Sequence, residues 1–224
     1  MDEIGSFLNR PKAYCNIDGV GELGLGFMGL GYAAIEWLKL HSPRNSVWNQ
    51  MYTRFIWIGV MCAIIHYGTK AIKNHITFPR TGFVEYRKRD TLWLPLIVSF
   101  VVSAMVSAGV VFALHRRWNL TTPVSLFGLV FAAAYAYGIA RTAVRWKWGV
   151  VGVMVIGSLI IATLPAHVVG AVANHSWITR QFRAELVGAT LLNITLYGAT
   201  TLISGGISFW LYLRHTSVPS QGSE

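Results

Sequence analysis

Charge is what this 224-residue chain has least of: Asp, Glu, Lys and Arg together make 12% of it, about half the share of an ordinary soluble domain. A soluble fold with a charged surface is thereby excluded. Acidic residues number only nine, two of them in the first three positions and one at the last, so paired carboxylates for acid–base catalysis have little raw material. No Walker loop, nucleophile elbow or HExxH spacing is present, which leaves a catalytic centre without a motif. Cysteine is confined to Cys15 and Cys62, so neither a disulfide framework nor a cysteine-rich metal site is expected. No cofactor is predicted. The N-terminal MDEIGSFLNRPKAYCNIDG lacks a compact apolar core and a small-residue cleavage site, which predicts that it is retained rather than processed.

What is abundant is apolar sequence. Hydrophobic residues make 54% of the chain, and they fall in stretches of about 20, the length a helix needs to cross a hydrocarbon core roughly 30 Å thick. The predicted spans are 19–40, 47–67, 91–114, 122–140, 146–164 and 186–213. The expected fold is therefore all-α, a polytopic transmembrane bundle of about six helices, with 1–18 preceding it and a polar tail at 215–224. The first stretch is crowded with glycine, which permits either close helix packing or a break near Gly24–Gly31. Ser99, Ser103 and Ser107 share one face of the third stretch, and Thr200, Ser204, Gly205, Gly206 and Ser208 are expected to face inward from the last. Gly205–Gly206 also permits a bend.

Lys and Arg set the orientation. With both termini cytoplasmic, twelve fall on the inner side and seven on the outer, in the sense of the positive-inside rule. A multi-pass protein of the cell inner (cytoplasmic) membrane is expected. Tryptophans mark the same boundaries, since indoles settle at headgroup level: eight of the nine lie near stretch ends, and Trp57 is deeper. The net charge of +10 sits at the ends of apolar segments, which points to anionic lipid headgroups and away from nucleic acid.

Charges inside spans are costly and are usually paired or functional. Glu36 and Arg54 are expected to form a structural ion pair across the first connection. Glu22 is expected to meet Arg141 or Arg145, or to carry a proton. On the outer side His41, His115, His167 and His175 are weak candidates for a shared divalent cation.

Between the second and third stretches runs HITFPRTGFVEYRKR, residues 75–89. Pro79, Arg80, Thr81 and Gly82 have turn chemistry between Ile76-Thr77-Phe78 and Phe83-Val84-Glu85-Tyr86, which predicts a small cytoplasmic β-hairpin. Arg80, Arg87, Lys88 and Arg89 are its candidate contacts to lipid or to a protein partner. Asn16 and Asp18 are candidate helix caps, and with Pro79 and Gly82 they would frame one platform, Asp18 near Arg80.

RPKAYCNIDGVGEL (10–23) together with HITFPRTGFVEYR resembles an uncharacterised family of prokaryotic multi-span membrane proteins, in which an NIDG segment precedes the first span and a PRTG turn follows the second. The resemblance covers roughly the first ninety residues. It implies a bacterial or archaeal membrane setting and carries no functional residues across. Three functions are weighed on these grounds: a non-catalytic accessory or scaffold subunit, a small-solute or ion transporter, and a membrane redox or metal-binding subunit.

Overall fold

A computed structural model describes residues 18–77, 122–140, 144–173 and 184–216. Within them the chain is helical apart from short connections, and no strand occurs among the described residues. The helices are α1 (Val20–His41), α2 (Met51–Ile72, prolonged by a π-helical turn Lys73–Thr77), α3 (Thr122–Ala140), α4 (Lys147–Thr163), α5 (Ala166–Ala171) and α6 (Ala184–His215). Two helical stretches, Phe55–Thr77 and Ala184–His215, are long and apolar enough to cross a membrane. The third predicted span, with Ser99, Ser103 and Ser107, lies outside the described residues.

Local chemistry fixes the helix ends. Gly19 precedes α1 with φ 70°, a left-handed conformation that glycine adopts without a Cβ penalty. Gly19 is the N-cap residue, and Asp18 before it accepts at Oδ1 from the Val20 N–H at 3.2 Å, satisfying one donor of the first turn. Glu22 in the first turn and Lys39 in the last both suit the helix dipole. The second helix starts later than the apolar pattern suggests. Val47–Asn49 instead forms a 3-10 turn, where the Ser46 hydroxyl accepts from the Trp48 N–H at 3.3 Å and Thr53 donates to the Val47 carbonyl at 2.6 Å. Pro165 ends the fifth apolar stretch and opens the short α5, which lies between the predicted spans 146–164 and 186–213.

The glycines of α1 are absorbed by packing, and the helix runs unbroken through Gly24–Gly31. The most extensive helix contact in the fold is that of α1 with α6. Along it the backbones close on one another: a Cβ on Gly26 would meet the Leu202 backbone nitrogen at 2.5 Å, one on Gly205 the Leu23 nitrogen at 2.5 Å, and one on Gly29 the Gly198 Cα at 2.9 Å. Such seams replace apolar burial, which gives helices no reason to associate in lipid. Gly24 and Gly31 instead receive Ile65 and Met61 of α2. Helix α6 is likewise continuous across Gly205–Gly206, with Ser204, Gly205 and Ser208 buried as expected.

Helix α3 packs mainly on α4, and this pair meets α6 through Ala132, Met154 and Tyr197. Helix α2 is turned the other way. Phe55 (65% exposed), Ile56, Val60, Ile64 and Tyr67 (69%) face out of the fold, an inversion of the soluble pattern, while Met61 and Ile65 turn to α1.

Candidate functional site

Four helices converge on one buried polar cluster. Lys147, the first residue of α4, is 1% exposed, and its ammonium pairs with Glu22 Oε1 of α1. Glu22 is held from a second direction, because Ser204 of α6 donates its hydroxyl to Oε2 at 2.8 Å. With that hydrogen committed, the 2.9 Å contact between Tyr135 of α3 and Ser204 must have the phenol donating. A directed chain results: Tyr135 to Ser204 to Glu22, with Lys147 closing the other oxygen.

The placement of Lys147 explains why it needs a carboxylate. A cation at a helix N-terminus opposes the helix dipole, and burial removes its hydration. Glu22 offsets both, and it sits in the first turn of α1, where a carboxylate suits that helix's dipole as well.

A second, similar chain lies deeper along α6. Ser158 of α4 donates to Asn193 Oδ1 at 3.1 Å, so Tyr197 donates to the Ser158 hydroxyl at 2.7 Å, and the Asn193 amide passes on to the Ala189 carbonyl at 2.9 Å. Ser204 and Asn193 are eleven positions apart on α6, about 16 Å along the helix. Between them Thr201 turns its hydroxyl back onto the Tyr197 carbonyl at 2.6 Å. Ser208, a turn beyond Ser204, is buried and its hydroxyl has no hydrogen-bond partner.

Beside the first cluster, Asp18 meets Lys73 of the π-helical turn at 3.7 Å. Burial pushes its carboxyl above the usual range, against the pull of Lys73, the Val20 N–H and Lys147. One residue cluster further, Tyr212 of α6 donates to the Thr77 carbonyl at 2.9 Å. The turn before α1 is thus tied to the end of α2 through Asp18, and the start of the basic passage to α6 through Thr77.

The partner of Glu22 and the arm at Ile76 and Thr77 are corrected here, while the expected pairs Glu36–Arg54 and Asp18–Arg80 rest on side chains outside the described residues. Glu22 pairs with Lys147, the first residue of α4, whereas Arg145 is exposed; Arg141 lies outside the described residues. Asp18 is engaged by Lys73. Ile76 and Thr77, expected in an extended arm, lie in the π-helical continuation of α2, which the Tyr212 and Asp18 contacts hold. Glu36 lies against Lys39 one turn along at 3.8 Å. The Arg54 side chain is outside the described residues, as are Asn16, Pro79, Arg80, Gly82, Arg87, Lys88, Arg89, His115 and His175. His41 donates Nδ1–H to the Trp37 carbonyl at 2.8 Å, and His167 is exposed on α5. Among the described residues no group of three or more His, Cys, Asp or Glu is placed to hold a metal ion.

Sequence reading missed Lys147, Tyr135, Ser158, Asn193 and Tyr197 as partners. The available signal was isolation: Ser158 is the one hydroxyl between Lys147 and Thr163, and Asn193 and Tyr197 stand four apart on a face of α6 that Ser204 continues. No family model matches the chain, nor does any curated protein or solved structure.

Proposed function

We propose that the chain is a multi-pass protein of the cytoplasmic membrane, with about six spans and both termini cytoplasmic. In this reading it has no catalytic centre and serves as an accessory or scaffold subunit. It presents a basic cytoplasmic platform, Arg80, Arg87, Lys88 and Arg89, to anionic headgroups or a partner subunit. One observation carries the reading: Asp18 and Glu22 each lie against a lysine from another helix, so the charges at this end of the fold serve to hold helices together. The outward apolar flank of α2 agrees with a lipid or subunit contact. The contacts of Asp18 with Lys73 and of Thr77 with Tyr212 would give the platform a fixed base.

The test is purification in native nanodiscs with mass spectrometry of what remains bound. A stoichiometric partner that is lost on Arg80→Ala supports the reading. A protein that runs alone, with that substitution silent, counts against it.

A second reading, transport of a small solute or ion, is favoured by the buried Glu22–Lys147 pair, since ionisable groups inside spans commonly mark pathways. Its test is solute or ion flux into proteoliposomes, with Glu22→Gln expected to abolish it.

A further inference from the structure

Backbone, apolar and polar contacts hold the described helices, with Ala132 and Met154 packing the α3–α4 pair on Tyr197 of α6. Within the α1–α6 pair the backbones meet through Gly19, Gly26, Gly29, Gly198 and Gly205, a seam that cannot part without losing backbone contact. Between that pair and α3–α4 every side-chain hydrogen bond or ion pair given above is a polar cross-tie: Lys147 to Glu22, Tyr135 to Ser204, and Ser158 to Asn193 and Tyr197. Two of these ties pass through the single carboxylate of Glu22, directly or through the hydroxyl that it orients.

We infer that Glu22 is a proton-binding site, and that taking up a proton there loosens the α3–α4 pair from the α1–α6 pair. The proton adds to Oε1 or Oε2, and the carboxylate becomes a neutral acid. Lys147 then holds a buried charge whose paired carboxylate is gone and which Asp18 offsets only in part, a state that water entry relieves. Ser204 loses its anionic acceptor at the same moment, and Tyr135 loses the orientation of its own acceptor.

Among the described residues the groups facing Glu22 are few. Lys147 comes from α4, Tyr135 from α3 through Ser204, and Asp18 from the turn before α1, itself against Lys73 at the end of α2; Ser204 and Ser208 are the α6 groups on this side. The Glu22 side chain is 15% exposed and Lys73 24%, so a proton has a way in at this end of the fold.

A second observation points the same way. Thr190, Thr195, Thr200 and Thr201 of α6 all turn their hydroxyls onto a carbonyl four residues back. Ser204 gives its hydroxyl to Glu22 instead, and the buried hydroxyl of Ser208 has no partner. A polar atom left over one turn from the carboxylate is what an incoming water would use. The switch operates whether or not a partner subunit is bound, so a failure of the accessory reading leaves it standing.

Spin-label distances in nanodiscs test it. Labels at Leu25→Cys on α1 and Ile156→Cys on α4, both exposed positions, report the two pairs; labels at Leu25→Cys and Ile203→Cys report the α1–α6 seam. Cys15 and Cys62 are replaced by serine. On acidification the first distance is expected to lengthen by about 3 Å, the thickness of a water layer, while the second stays. Glu22→Gln should show the longer distance at neutral pH, and the double variant Glu22→Gln with Lys147→Met the shorter one at every pH. A first distance that ignores pH, or that lengthens together with the second, overturns the inference, as does Glu22→Gln with the wild-type distance. Should Glu22→Gln fail to fold, the second distance reveals it and the wild-type titration decides.

Discussion

Replacing one glycine of the α1–α6 seam should cost more than the helix gains. An alanine Cβ at position 26 would lie 2.5 Å from the Leu202 backbone nitrogen, whereas ordinary contact begins near 3.4 Å, so α6 must retreat by about 1 Å. A retreat of that size forfeits a quarter to a half of each dispersion contact along the seam, including those of Gly29 with Gly198 and of Gly205 with Leu23. Overpacking of this kind costs about 1–3 kcal/mol, against a gain of about 1 kcal/mol from the better helix former. Gly206 supplies the control, because a Cβ there meets nothing within 4 Å. Both substitutions carry the same propensity gain, so the difference between Gly26→Ala and Gly206→Ala isolates the steric cost, about 1–3 kcal/mol. Equilibrium unfolding in mixed micelles, followed by circular dichroism, measures it. Equal stabilities for the two variants would refute the close seam.

Lys147→Met leaves Glu22 buried without its cation and should cost about 3–5 kcal/mol, whereas the double variant with Glu22→Gln should recover most of that loss in the same unfolding assay. Tyr212→Phe removes one bond to the Thr77 carbonyl and should cost about 1 kcal/mol, with faster hydrogen exchange in Lys73–Thr77 as its local signature. Asp18 has a definite sign. Its folded carboxyl binds a proton more readily than the usual 3.8 of the unfolded chain, so the folded state holds more protons between those values. Stability should therefore fall as pH rises through that window and recover on acidification. Asp18→Asn keeps an oxygen to accept from Val20, and its melting temperature should lack this pH-dependent component; identical pH profiles for the two proteins would exclude it.

The sequence made the helices legible, and their partners much less so. Apolar length located α1, α3, α4 and α6 to within about two residues, because a twenty-residue apolar run has few other solutions. It misjudged the start of α2, where Ser46 and Thr53 turn their hydroxyls to a local 3-10 turn that hydropathy does not register. For glycine in α1, periodicity left packing and breakage both open. Only the facing helix decides, since Gly26 and Gly29 matter through Leu202 and Gly198, which lie far along the chain. The charges show the same limit. Glu22 was legible as a charge in need of a partner, but Arg145 and Lys147 stand only two positions apart at the start of α4. Which of them faces α1 depends on the rotation of α4, a property no local spacing fixes.

The most direct test of the membrane account uses Cys62, an exposed native cysteine midway along the apolar stretch of α2. With Cys15 replaced by serine, a spin label on Cys62 in nanodiscs should relax rapidly with oxygen, which concentrates in lipid, and be shielded from a water-soluble nickel chelate. A label that the chelate reaches and oxygen does not favour would place α2 in water and contradict the account.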